Sequence, residues 1–171
     1  MKLDDDDFSL FGLPARFAQD GAEIAARWKA LAAKVHPDRF AADGAASQRL
    51  AMQWALRVNE AHQRLRDPLK RAAYLCELRG APIQAHENTR MPTAFLMEQM
   101  EWREGLDEAQ GAAAVMKIDD EVAARERALL AQAGRQLDDD QDPAAAAETV
   151  RALMFIHRFR EDLDRRLETE T

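Results

Sequence analysis

"KALAAKVHPDRFAADG", Lys29 to Gly44, decides how the amino-terminal part of this chain is read. Just upstream, Ile24, Trp28, Leu31 and Val35 recur at spacings of four, three and four, which draws one apolar face along an α-helix. The pattern stops at His36-Pro37-Asp38. Proline drives the residue before it away from helical geometry, so the helix must end by Val35. Asp20 and Glu23 form a D-x-x-E capping pattern that announces its start.

On a wheel that advances about 100° per residue from Arg27, the apolar face lies near about 70°. Arg27 and Lys34 fall together beside it, Lys29 sits on the opposite flank, and Arg39 follows just beyond the helix. Positive charge therefore gathers on one short helix of a 171-residue chain whose formal net charge is −7. From charge alone, scattered surface lysines and arginines would read the same way.

The tripeptide admits four readings: a catalytic His/Asp pair, a metal site, a helix-ending turn or a contact point for another protein. Catalysis needs the carboxylate to hold one ring nitrogen while the other faces substrate, and adjacent residues on a proline-restricted turn are poorly placed for that. A metal site fares no better, because His62, His86 and His157 stand at no ligand spacing to His36 or to Cys76. The plain turn and the contact point stay open.

Around this core the helical reading extends in both directions. "FSLFGLP" is a short apolar segment closed by Gly12 and Pro14, and Asp4 to Asp7 read as a solvated lead-in, with Asp7 well placed at a helix start. After Gly44 a second long helix carries Leu50, Trp54, Val58, Ala61 and Leu65 on one side. Asp67-Pro68 caps a third, with Leu69, Ala72, Ala73, Cys76 and Leu78. From Arg79 to Pro92 the periodicity lapses, as at a domain junction. Three further helices are expected at 93–109, 112–136 and 143–168. The predicted organisation is a first domain at 1–78, a linker at 79–92 and a second domain at 93–171.

Composition agrees with an all-α protein. Hydrophobic residues make up 47% and charged residues 32%, with only 7 glycines and 6 prolines. That balance favours soluble, packed helices. The acidic surplus argues against a dedicated nucleic-acid binder. The single cysteine excludes an internal disulfide framework and points to a reducing compartment. No apolar run is long enough to span a membrane and no hydrophobic signal core is evident, so a cytoplasmic location is expected.

In the second half, "TAFLMEQMEWREGLDE" carries two apolar faces on one helix. Phe95, Trp102 and Leu106 form a stripe suited to a bundle core, whereas Leu96, Met97 and Met100 lie on another face, shared with Glu104 and bordered by Glu101 and Glu108. Either the helix buries both faces, or the second awaits a partner, for which flexible methionines are well suited. On the last helix Met154 and Phe155 fall outside the stripe of Thr149, Ala152, Leu153, Ile156, Phe159, Leu163 and Leu167, and Phe155 could extend the exposed patch.

"FSLFGLP", "HPDRF" and "RVNEAHQRLRDPLKRAAYL" together resemble a J-domain, the module through which co-chaperones engage ATPase chaperones of the seventy-kilodalton heat-shock class. Val35 and Ala30 depart from that pattern, which often has tyrosine and a basic residue there. With "AFLMEQMEWREGLDEA" added, nearly the whole chain is similar to the HscB family of bacterial iron–sulfur cluster assembly. The resemblance implies an L-shaped molecule, a J-domain built on an antiparallel helical hairpin and joined to a three-helix bundle. It also implies that Arg27, Lys29, Lys34, His36, Pro37, Asp38 and Arg39 dock on the chaperone HscA and stimulate its ATP hydrolysis. Leu96, Met97, Met100, Glu101, Glu104, Glu108 and Phe155 would bind the cluster scaffold IscU. Some relatives carry a zinc-binding cysteine pair near the amino terminus. With Cys76 alone, the bacterial form is implied, with no cofactor or metal and no chemistry of its own. A general cofactor for other clients is the alternative, although the glycine-rich segments or broad apolar groove such a role calls for are missing.

Overall fold

A computed structural model describes residues 1–170. Among them the regular structure is entirely helical: α1 (Asp7–Phe11), α2 (Gly21–Val35), a 3-10 turn (Pro37–Phe40), α3 (Ala45–Arg66), α4 (Pro68–Leu78), α5 (Thr93–Glu108), α6 (Ala112–Asp138) and α7 (Pro143–Glu170). The chain divides into two units, Met1–Leu75 and Cys76–Thr171, with the boundary inside α4.

In the first unit α2 and α3 form an antiparallel hairpin. Trp28 Nε1 donates to Asn59 Oδ1 at 3.0 Å, and its ring stacks on His62 with centroids 4.3 Å apart. Ile24, Val35, Ala51, Val58, Ala61 and Leu65 fill the seam. Each aliphatic side chain taken out of water contributes about 1.5–3 kcal/mol, which outweighs the modest intrinsic preference of short helices. Asp20 caps α2 by accepting the Ala22 N–H, but Glu23 does not close the expected box; it pairs with Arg27 one turn on. Leu50 is 50% exposed and Ala51 is buried in its stead, because the buried stripe runs through Ala51, Val58, Ala61 and Leu65 and leaves Leu50 on its flank. Similarly Leu75 is buried on α4 while Leu78 is exposed.

Asp7 corrects the expectation of a solvated lead-in. Asp6 is the N-cap of α1, its carboxylate taking the Ser9 N–H and hydroxyl. Asp7 is completely buried. Arg64 grips it through Nε at 2.6 Å and Nη2 at 2.9 Å, Arg57 Nη1 lies 2.7 Å from its Oδ1, and its backbone N–H donates to the Tyr74 hydroxyl. This ion pair ties α1 to α3 and α4. Taking that carboxylate out of water is costly, and the two cations beside it offset the cost.

The second unit packs α5, α6 and α7 as a bundle. The pairs Glu98–Arg125 and Gly105–Ile118 run α5 antiparallel to α6. Thr149–Gln136 and Arg160–Asp119 do the same for α6 and α7. Phe95, Val115, Val122, Leu129, Leu137, Val150, Ile156, Phe159 and Leu163 are buried in its core. Residues 79–92 contain no regular helix, yet they are tied to this bundle: buried Arg151 donates to the carbonyls of Ile83, Pro82 and Arg90, and Ile83 is itself buried.

Candidate functional site

His36 leaves α2 with extended backbone angles, φ −60° and ψ 127°. Its Nδ1 accepts the Asp38 N–H at 3.2 Å, so the imidazole caps the 3-10 turn that Pro37 opens. With Nδ1 accepting, the proton of a neutral ring resides on Nε2. The His36 and Asp38 side chains are 59% and 92% exposed, with Asp38 Oδ2 3.7 Å from that same Nδ1. A catalytic pair instead has a buried carboxylate accept the Nδ1–H and leaves Nε2 free as the base, whereas here Nδ1 is itself the acceptor and the carboxylate lies in solvent. The turn presents its polar groups to solvent.

The basic surface beside it is narrower than the sequence indicates. Lys29 and Lys34 are exposed, and Arg39 donates through Nη1 to Ala33 O at 3.2 Å, satisfying a carbonyl left open at the end of α2. Arg27 has a different job. Its Nη1 donates to the Phe11 and Gly12 carbonyls at 3.0 Å each, and its Nε and Nη2 reach Glu23. Its charge is paired and its donors hold the end of α1. The i,i+4 spacing of Glu23 and Arg27 was the signal for this. Gly12 makes it possible: its φ is +65°, and a Cβ there would stand 2.8 Å from Arg27 Nη1. Next to the turn, Val35, Phe40, Leu50, Ala51 and Trp54 line an open apolar cavity of about 260 Å³.

On the second unit, α5 separates its two faces as expected. Phe95 and Trp102 are buried, while Leu96, Met97 and Met100 are 40%, 65% and 62% exposed. Glu101, Glu104, Asp107 and Glu108 are exposed on the same side of the helix. An apolar cluster of this kind set among acids has no internal reason to exist, since water gains nothing from its contact. Phe155 departs from its expected place. It is only 8% exposed, with centroids 5.7 Å from Phe95 and 6.0 Å from Phe159, because the phenylalanines of α7 and the α5 rings form one aromatic cluster of edge-on and stacked pairs. It is the floor of the patch, not part of its open surface. Arg103, which the sequence reading missed, lies over it with its guanidinium carbon 5.1 Å from the ring centre.

Cys76 is buried, and that burial pushes its thiol up to about 11, so it behaves as a hydrophobe and not as a nucleophile. Among the described residues no group of three or more His, Cys, Asp or Glu is placed to hold a metal ion, and no helix is long and apolar enough to cross a membrane.

A helical hairpin that carries an exposed His-Pro-Asp turn, flanked by a short first helix and a fourth helix, defines a J-domain co-chaperone. Residues 91–164 match the family described as the HSCB C-terminal oligomerisation domain. The "Co-chaperone protein HscB homolog" of Burkholderia mallei is 50% identical over 98% of this chain and 97% of its own. Among solved structures, "Chaperone HscB from Vibrio cholerae" is 36% identical with a TM-score of 0.83, covering 98% of this chain and 100% of that one. The human co-chaperone protein HscB is 28% identical with a TM-score of 0.88, covering 97% and 84%. The chain belongs to the HscB co-chaperone family.

Proposed function

We propose that this protein is an adaptor of iron–sulfur cluster assembly, which delivers the scaffold IscU to the chaperone HscA and stimulates ATP hydrolysis there. Lys29, Lys34 and Arg39 dock on an acidic chaperone surface, and His36, Pro37 and Asp38 engage the state that hydrolyses ATP. Stimulation requires that the turn bind one chaperone state better than the other; equal affinity for both would shift nothing. In this reading Arg27 acts by positioning α1 against α2, and Phe155 supports the patch from beneath.

The observation that carries the reading is the exposure of Leu96, Met97 and Met100 beside exposed acids, on a bundle whose core is already complete without them. A surface of this kind suits a partner with an apolar spot edged by basic groups. The test is HscA ATPase measured with this protein, with IscU, and with both. The adaptor reading expects stimulation by the pair beyond the sum of the separate effects. Equal stimulation with and without IscU would instead favour a general J-domain cofactor acting on other clients.

A further inference from the structure

Arg103 is the one cation that α5 contributes to the exposed face. Its guanidinium lies over two rings of α7, 5.1 Å from the centre of Phe155 and 5.9 Å from that of Phe159. Among the described residues no carboxylate pairs with it, although Asp107 follows one turn later. Elsewhere on the second unit Arg90, Arg125, Arg160 and Arg166 each reach an acid and Arg151 reaches three carbonyls; Arg103 is set apart from the other arginines by its place over the α7 rings. An arginine held over aromatic rings by its charge still has N–H donors to offer a partner's carboxylate. Successive positions at about 100° set Arg103 on the α7 side of Leu96 and Met100, with Glu101 and Glu108 on the α6 side. Arg103 is thus the one cation at the α7 edge, while acids run across the face, from Asp107 and Glu104 among the apolar residues to Glu101 and Glu108 at the α6 border.

We propose that Arg103 is a specificity-determining residue of the client-binding face, which receives a carboxylate of the bound protein while its side chain covers Phe155. The inference rests on the reading of this face as the IscU site. With Arg103 at the α7 edge and Glu101 and Glu108 at the α6 border, a partner's orientation is biased, since a reversed pose would set its carboxylate against those two acids.

The experiment is calorimetric titration of IscU into wild type, Arg103→Met, Arg103→Lys and Leu96→Ala/Met97→Ala, each at low and raised salt, with thermal unfolding as a check on folding. Methionine covers the rings without charge, so Arg103→Met separates shielding from pairing. We expect Arg103→Met to weaken binding by roughly tenfold and to flatten the salt dependence, in a protein as stable as wild type. Arg103→Lys should retain part of the salt dependence. Wild-type affinity and salt dependence in Arg103→Met, with Leu96→Ala/Met97→Ala impaired, would overturn the role of Arg103 and leave the site standing. Failure of wild type itself to bind IscU would overturn both.

Discussion

The Nδ1 of His36 accepts the backbone N–H of Asp38 at 3.2 Å. One side chain thus caps the turn that displays it, and the rest of the ring is left to solvent. His36→Gln can still bond within the turn but cannot offer the Nε2–H in the same place. We expect that variant to lose ATPase stimulation and to keep its affinity for IscU. Chaperone ATPase and IscU calorimetry on the same preparation check this, and full stimulation would refute the assigned role.

Replacing Leu96, Met97 and Met100 together with alanine should weaken IscU binding by several kcal/mol at most, on the scale of ordinary hot spots, and leave stability nearly unchanged because the side chains are already exposed. Phe155→Ala should behave differently. Removing a ring that is 8% exposed from the aromatic cluster opens a cavity and should cost about 3 kcal/mol of folding stability. Urea unfolding of both variants distinguishes surface from floor.

Asp7→Asn keeps the shape of the side chain and removes the charge that Arg57 and Arg64 share. Arg64 is partly exposed and can regain water, which softens the loss; Arg57 is not so placed. A destabilisation of about 3 kcal/mol is expected. A variant within about 0.5 kcal/mol of wild type would show that the ion pair does not hold α1 in place.

His62, stacked on Trp28, has its pKa lowered from 6.5, first by burial and then by the charge of Arg66. The folded chain binds that proton less readily than the unfolded chain. The stability His62 contributes is therefore complete above the unfolded value and is lost as pH falls below it toward the lower folded value. Between about pH 7 and about pH 5, wild type should lose more stability than His62→Gln. Parallel pH profiles of the urea midpoint would contradict this.

Helices were legible because their ends are chemically marked. Asp20, Asp67 and Asp142 each accept an early backbone N–H of the helix they precede, and Gly44 and Gly111 stand with positive φ before α3 and α6. The 3-10 turn was not legible, since four residues are too few to show a period. Burial on either side of a stripe was also out of reach: Leu50 against Ala51, and Phe155 within the core, depend on which neighbouring helix covers the flank. The open face of Leu96, Met97 and Met100 could be read because a bundle helix needs only one buried stripe. Arg103 could not, because its partners are rings on another helix. The roles of Asp7 and Arg27 escaped for the same reason, since charge written along a chain does not say which cation lies within reach.

The adaptor account requires both contact surfaces on one polypeptide, and mixing two complementary variants tests that most directly. His36→Gln retains the client patch, and Leu96→Ala/Met97→Ala/Met100→Ala retains the His-Pro-Asp turn. With HscA and IscU present, wild type should give stimulation beyond the sum of the separate effects, and the equimolar mixture of variants should give none of that excess. Restoration of the full excess by the mixture would contradict the account.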